Sequence, residues 1–264
     1  MVELNFDQQG RYISENIKVN LLTKLFTTPI FILKMAKLIL DGSKLAKQGK
    51  YDVNEWIKSS KKAFDILESV GVKFNISGIN NVKNLTGPVV FIGNHMSTLE
   101  TFIMPLLIQP YRDVTFVIKK ELAEMPVFSH IVLTREPIIV GRKNPREDFK
   151  LVMDKGTEIL NKGRSIIIYP QTTRTTNFDP KEFNTIGIKL ARKARVPVVP
   201  VALKTDAWGN GKLIKDIGRI DTKKTVYFEF FEPIEIKGNG KEEHQAIIEK
   251  IQMSLNKWQK ENTS

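Results

Sequence analysis

Cysteine is absent from the 264 residues, which excludes a disulfide framework, a cysteine nucleophile and thiolate-bound zinc, and is compatible with a reducing cytoplasm. Histidine is nearly as scarce, with three in the whole chain. No apolar run approaches the roughly 20 residues of a membrane span, because Lys24, Lys34 and Lys37 interrupt the N-terminal stretch. Glu3 and Asp7 stand where a secretory leader would be basic and then apolar, so no signal peptide is expected. Acidic residues are the minority charge, 29 Asp and Glu against 41 Lys and Arg, for a net +12. Such a balance favours polyanions: nucleic acid, anionic lipid headgroups, or phosphorylated substrates and carriers. A hydrophobic share of 41% with charges throughout and no repeat describes a globular chain.

From Val72 onward, short apolar runs alternate with helix-like stretches. Strands are expected at Val72 to Ile76, Val89 to Ile92, Val114 to Ile118, Ile138 to Val140, Ser165 to Tyr169, Val198 to Leu203 and Val226 to Phe230. Helices are expected at Ser97 to Leu107, Arg146 to Asn161, Lys181 to Ala194 and Lys241 to Lys257. The alternation predicts an α/β fold with a largely parallel central sheet flanked by helices. Before it, Thr28-Pro29 predicts a cap and a first helical position, opening a helix to about Gln48; a second helix follows from Asn54 to Val70. In the first, Lys34, Lys37, Asp41 and Lys44 form one polar stripe and apolar residues cover the rest. This wide apolar face suits a two-helix appendage at a membrane interface with its lysines on anionic headgroups, or a helix pair packed on the main domain. The division expected is 1–71 for membrane association and 72–264 for the α/β domain.

Asn94-His95-Met96-Ser97-Thr98-Leu99-Glu100 sets a histidine just past a strand end and a carboxylate five positions on. An imidazole can take a proton from an attacking hydroxyl if a second group fixes its tautomer. On one continuous helix the two side chains would lie about 140° apart, so they meet only if a turn intervenes, as the strand-turn-helix pattern provides. Ser97 and Glu100 also fit a capping box, in which the carboxylate serves only a helix start. A second block, Tyr169-Pro170-Gln171-Thr172-Thr173-Arg174-Thr175, follows the apolar strand Ile166-Ile167-Ile168 and offers hydroxyls, an amide and a guanidinium suited to an oxyanion or phosphate; alternatively it is a capped turn. Lys119 and Arg142 end two further strands.

The order of these blocks resembles the glycerolipid acyltransferase family, which includes the 1-acylglycerol-3-phosphate acyltransferases. Its first motif, His and after four residues Asp, is matched by His95 and Glu100, with Asn94 and Ser97 beside them. Its second region is matched by Lys119, Glu121, Leu122, Pro126 and Arg142. Its third motif, Phe-Pro-Glu-Gly-Thr-Arg-Ser, is similar to Tyr169-Pro170-Gln171-Thr172-Thr173-Arg174-Thr175, and its apolar-proline motif to Val196-Pro197-Val198-Val199-Pro200-Val201. The resemblance spans about Ile76 to Phe231. Glu100 replaces the usual aspartate, Gln171 and Thr172 replace Glu-Gly, and Ser129 stands where glycine is common.

The resemblance implies acyl transfer from a thioester, acyl-CoA or acyl carrier protein, to a hydroxyl of a lysophospholipid or glycerol-phosphate acceptor, foremost 1-acylglycerol-3-phosphate. It makes His95 the general base held by Glu100, with Lys119, Arg142, Gln171, Thr172, Thr173 and Arg174 binding the acceptor. Neither metal nor further cofactor is expected. His130 and His244 form no ligand pattern and are expected to be structural or exposed. The partners expected are an anionic membrane surface and the two substrates, not nucleic acid, and the place is the cytoplasmic face of a membrane, peripheral or monotopic. Two other readings stay open: a lipid hydrolase with Ser97 as nucleophile, lacking a Gly-x-Ser-x-Gly elbow, and a non-enzymatic protein binding membranes or nucleic acid. Trp208, beside Gly209-Asn210-Gly211, belongs to a turn or walls a substrate pocket; the terminal helix, with Ile247, Ile248, Ile251, Leu255 and Trp258 at helical spacing, packs on the sheet.

Overall fold

The computed structural model describes residues 3–15, 17–171, 173–211 and 218–261. A two-residue strand β1 (Tyr12–Ile13) precedes a helical stretch of α1 (Leu21–Leu25), α2 (Thr27–Lys47) and α3 (Val53–Ser69). Asn20 caps α1 by accepting from the Thr23 amide at 2.8 Å, and Asp52 caps α3 by accepting from Glu55 at 2.9 Å. Helix α2 opens two residues earlier than the Thr28 cap implies, so Pro29 sits at the third helical position. There its missing N–H still costs nothing, because the first four amides of a helix have no partner within it. The Thr28 hydroxyl instead accepts from the Ile220 amide at 3.1 Å, fastening α2 to the domain.

The chain then runs β2 (Lys73–Ser77), α4 (Asn80–Lys83), β3 (Val90–Gly93), α5 (Leu99–Ile108), β4 (Val114–Lys119), α6 (Lys120–Glu124), α7 (Phe128–Leu133), β5 (Ile138–Val140), α8 (Pro145–Asn161) and β6 (Ser165–Ile168). It continues through a single 3-10 turn (Pro180–Glu182) to α9 (Ile186–Ala194), β7 (Val198–Lys204), β8 (Thr225–Phe230) and α10 (Lys241–Glu261). The strands form one 8-stranded sheet in the order β1-β2-β8-β7-β3-β6-β4-β5. Among the described residues only the β1/β2 and β7/β8 strand pairs are antiparallel, so the sheet is largely parallel as expected.

Central strands buried on both faces carry apolar residues at every position. Phe91 and Ile167 enter a core shared with Phe31 and Met35 of α2, Trp56 and Phe64 of α3 and Ile103 of α5. Their neighbours Val90, Ile92, Ile166 and Ile168 enter a second core under α8, α9 and α10, where Ile247, Ile251 and Trp258 of the terminal helix pack as expected. At Gly187 a side chain would come within 2.7 Å of Ile92 Cδ1, so the glycine lets α9 press against β3, the strand that leads into the His95 turn.

One expected helix is broken. Lys181 to Ala194 divides because Phe183 turns into the second core, while Asn184 accepts from the Ile186 amide at 3.0 Å and donates to the Pro170 carbonyl. A side chain that competes for local backbone groups ends one helical turn and starts another.

The N-terminal helices share the first core and still leave apolar residues in water. Phe26, Leu33 and Leu40 recur every seven residues on α2 and are exposed, as are Leu21, Leu22 and Leu25 on α1. Phe31 and Met35 on the opposite side of α2 are buried. The helix is thus apolar on two sides, one packed and one open. Among the described residues no helix is long and apolar enough to cross a membrane.

Candidate active site

The C-terminal ends of parallel strands gather ligands because crossovers leave a crevice there. Strand β3 ends at Gly93 and the chain turns through Asn94–Thr98 into α5. Asn94, buried, holds the strand end by donating to the Leu203 carbonyl at 2.7 Å and accepting from the Leu203 amide at 2.8 Å. The turn brings the His95 and Glu100 side chains together: Nδ1 lies 2.8 Å from Oε1. Glu100 is wholly buried, and its carboxylate also accepts from the Met96 amide at 2.7 Å, the Ser97 amide at 3.0 Å and the Thr205 hydroxyl. The capping role and the histidine-orienting role therefore coexist in one carboxylate. Burial pushes the Glu100 carboxyl up, but the hydrogen bond and charge of His95 and the Thr205 hydroxyl outweigh it and leave it below the ordinary value. With Nδ1–H donated to this anion, the imidazole lone pair is on Nε2.

The second block closes over the first. The His95 backbone N–H donates to Gln171 Oε1 at 2.7 Å, and the Thr175 amide donates to the His95 carbonyl at 3.0 Å. Gln171 is buried at 3% exposure. Expected among the acceptor-binding residues, it also holds the histidine turn through its side-chain oxygen. Tyr169 lies flat on the imidazole, with ring centroids 4.6 Å apart and planes 3° apart. Arg174 is half-buried and donates to the Thr98 hydroxyl, so its guanidinium stands beside the His95–Glu100 turn. Thr173 is exposed in the same loop, and Thr172 lies outside the described residues.

Lys119 ends β4 and Arg142 follows the end of β5 by two residues; the two strands lie two and three places along the sheet from β3. At about 4.8 Å per strand their backbones stand on the order of 10 and 15 Å from the His95 strand. Arg142 is exposed in a left-handed turn (φ 58°), which Asp148 stabilises by accepting from the Gly141 and Arg142 amides at 2.8 and 2.6 Å. The strand order thus sets the backbones of both residues along the same edge of the sheet as the histidine.

Ser97 is buried, and its hydroxyl lies 2.9 Å from the Thr205 carbonyl and 3.1 Å from Glu100 Oε2. It is on the carboxylate's far oxygen while the imidazole is on the near one. That is not the geometry of a serine activated by His95. Trp208 is core: it packs edge-on against Phe31 of α2 at 4.7 Å and stacks on Phe102 at 5.8 Å. His130 sits 3.4 Å from Ser43, and His244 stacks on Phe183. Burial pushes His244 below its ordinary pKa. Among the described residues no group of three acidic or histidine side chains is placed to hold a metal.

Sequence reasoning misses Thr205 and Thr98. Thr205 has one sequence signal, a hydroxyl two residues past a predicted strand; Thr98 has none beyond its place between His95 and Glu100.

Residues 73–204, half of the chain, match the family model described as Acyltransferase. A 1-acyl-sn-glycerol-3-phosphate acyltransferase of Pseudomonas aeruginosa is 31% identical over 132 residues, covering 50% of this chain and 49% of that protein. Another from Chlamydomonas reinhardtii is 25% identical over 182 residues, 68% of this chain and 52% of that one. The chain spans about half the length of these curated relatives. A crystal structure of the 1-acyl-sn-glycerophosphate acyltransferase from Thermotoga maritima shares the fold, with a TM-score of 0.60 at 22% identity over 90% of this chain and 94% of that one.

Proposed function

The chain belongs to the acyltransferase family, and from that premise we propose that it moves a fatty acyl group from a thioester, acyl-CoA or acyl carrier protein, to the free hydroxyl of 1-acylglycerol-3-phosphate. The observation that carries the reading is the 2.8 Å contact between His95 Nδ1 and a wholly buried carboxylate, which leaves Nε2 as the basic nitrogen. His95 Nε2 removes the acceptor's hydroxyl proton as the oxygen attacks the thioester carbonyl. The new C–O bond forms, the C–S bond breaks, and the imidazolium returns its proton to the departing thiolate; Glu100 stabilises the imidazolium meanwhile. No acyl-enzyme is needed, in keeping with a Ser97 hydroxyl committed elsewhere.

Arg174 offers a planar fork of donors to the acceptor's phosphate, and Lys119 a point charge at the next strand but one. Gln171, Thr172, Thr173 and Arg142 complete the acceptor site in this reading, Arg142 at its rim. The test is phosphatidate formation by the purified chain from labelled acyl donors and 1-acylglycerol-3-phosphate, with Arg174→Ala alongside. Losing charge-assisted hydrogen bonds is expected to lower kcat/KM about 10- to 100-fold, chiefly through the KM of the acceptor. Absence of product with either donor would overturn the activity; an unchanged acceptor KM would remove Arg174 from the phosphate site.

Residues 1–71 serve, in the same proposal, to dock the 72–264 unit on an anionic lipid surface from the side where these substrates are made and used, the cytoplasmic face. The ridge Phe26, Leu33 and Leu40 with Leu21, Leu22 and Leu25 is exposed, and Lys24, Lys34, Lys37, Lys44 and Lys47 stand around it. Apolar burial and headgroup attraction then act together. Substituting Leu33→Asp and Leu40→Asp is expected to weaken binding to anionic vesicles about 100-fold, from the lost burial of two leucines. Turnover of detergent-dispersed substrate should persist, since neither side chain is packed in the core. Vesicle flotation of the double variant at wild-type levels would exclude this surface.

A further inference from the structure

The Tyr169 phenol is the one polar group of the site without a function so far. Its ring lies on His95, and its hydroxyl is inaccessible and, among the described residues, has no hydrogen-bond partner. Two other tyrosines show how this chain treats such groups. Tyr12 donates to Glu68 at 2.8 Å and Tyr111 to Glu3 at 3.1 Å. A buried hydroxyl left unpaired costs free energy that water would otherwise supply. The fold itself does not call for the oxygen, because the motif that this segment resembles carries phenylalanine here. A phenylalanine would keep the stack on His95 and the packing near Phe116, whose ring lies 6.4 Å away. Burial, and then the Glu100 carboxylate, raise the phenol pKa well above its usual value, so the group is a proton donor throughout the working range.

Resting on the acyl-transfer reading above, we propose that the Tyr169 hydroxyl is a substrate-binding group, donating a hydrogen bond to an acyl carbonyl oxygen when the entering lipid chain displaces the side chains that cover it. The surroundings select that partner. Tyr169 packs against the first apolar core, alongside Phe116 and Phe102, where a neutral acceptor at the head of a hydrocarbon chain fits. A phosphate, doubly charged and sought by Arg174 and Lys119, does not. Two carbonyls qualify: the thioester of the donor and the existing ester of the acceptor's first chain.

The experiment compares the wild type with Tyr169→Phe, using 1-acylglycerol-3-phosphate and its 1-O-alkyl analogue, which lacks the ester carbonyl. Removing an unpaired buried hydroxyl should raise the melting temperature of the free protein by about 2–4 °C. The same variant should lose about 3- to 10-fold in kcat/KM. An equal loss with both acceptors assigns the hydroxyl to the thioester. A wild-type preference for the acyl over the alkyl acceptor that vanishes in Tyr169→Phe assigns it to the acceptor's ester. A variant that is more stable and as active as the wild type with both acceptors overturns the proposal, since the oxygen would then serve no substrate. If the wild type itself forms no phosphatidate, the acyl-transfer reading fails instead, and the melting temperature alone reports the hydroxyl's cost.

Discussion

Replacing His95 with alanine is expected to lower turnover by about 10²- to 10⁴-fold, the usual contribution of a positioned general base, while the protein stays folded. The two halves of that expectation have separate causes. Catalysis depends on the side chain, whose Nδ1 is fixed by Glu100 and whose plane is fixed by Tyr169. The turn depends on the backbone, since His95 N–H donates to Gln171 and its carbonyl accepts from Thr175. The buried carboxylate keeps the Met96, Ser97 and Thr205 donors after the imidazole is gone. Thermal unfolding and phosphatidate formation measured on one preparation separate the two. Turnover above about a tenth of wild type would remove His95 from the proton transfer.

The pair was legible because strand, turn and helix could be read locally and the turn brought position 95 back to position 100. The central strands β3, β6 and β7 were legible for a related reason: a strand covered on both faces is largely apolar, and such runs are hard to mistake once they alternate with helical patterns. Short elements carry no such pattern. Strand β1 has two residues and α6 has five, fewer than two turns of any period. That Gln171 also braces the His95 amide was not legible, because a polar residue in a loop looks the same whether it faces substrate or a buried amide. The Thr205–Glu100 contact joins residues 105 positions apart, across a sheet order that local periodicity does not encode. The open and buried sides of α2 illustrate the same limit: a helix apolar on both sides is compatible with packing and with exposure, and here both occur.

Substituting Glu100→Gln is expected to cost about as much turnover as removing His95, about 10²- to 10⁴-fold, although it changes no volume. If the amide oxygen takes the place of Oε1, the imidazole keeps its tautomer but the imidazolium loses the anion that stabilises it. If the amide nitrogen faces Nδ1 instead, the tautomer reverses and Nε2 can no longer accept a proton. In either orientation an NH₂ meets donors, the Ser97 amide or the Met96 amide, that a carboxylate satisfies. Unfavourable pairing of this kind destabilises by about 1–3 kcal/mol. The pH dependence supplies a second readout. Because the folded-state pKa of Glu100 lies below the ordinary carboxylate value, its contribution to stability is present above that ordinary value and is lost as pH falls through the folded one. The amide that replaces the carboxylate does not titrate, so the Glu100→Gln variant should start lower at neutral pH and lose less on acidification. Glu100→Asp restores charge with a shorter reach and is expected to recover part of the turnover that Glu100→Gln loses. Equal activity in the two variants would mean that the carboxylate acts only as a helix cap, and that its charge has no part in the reaction.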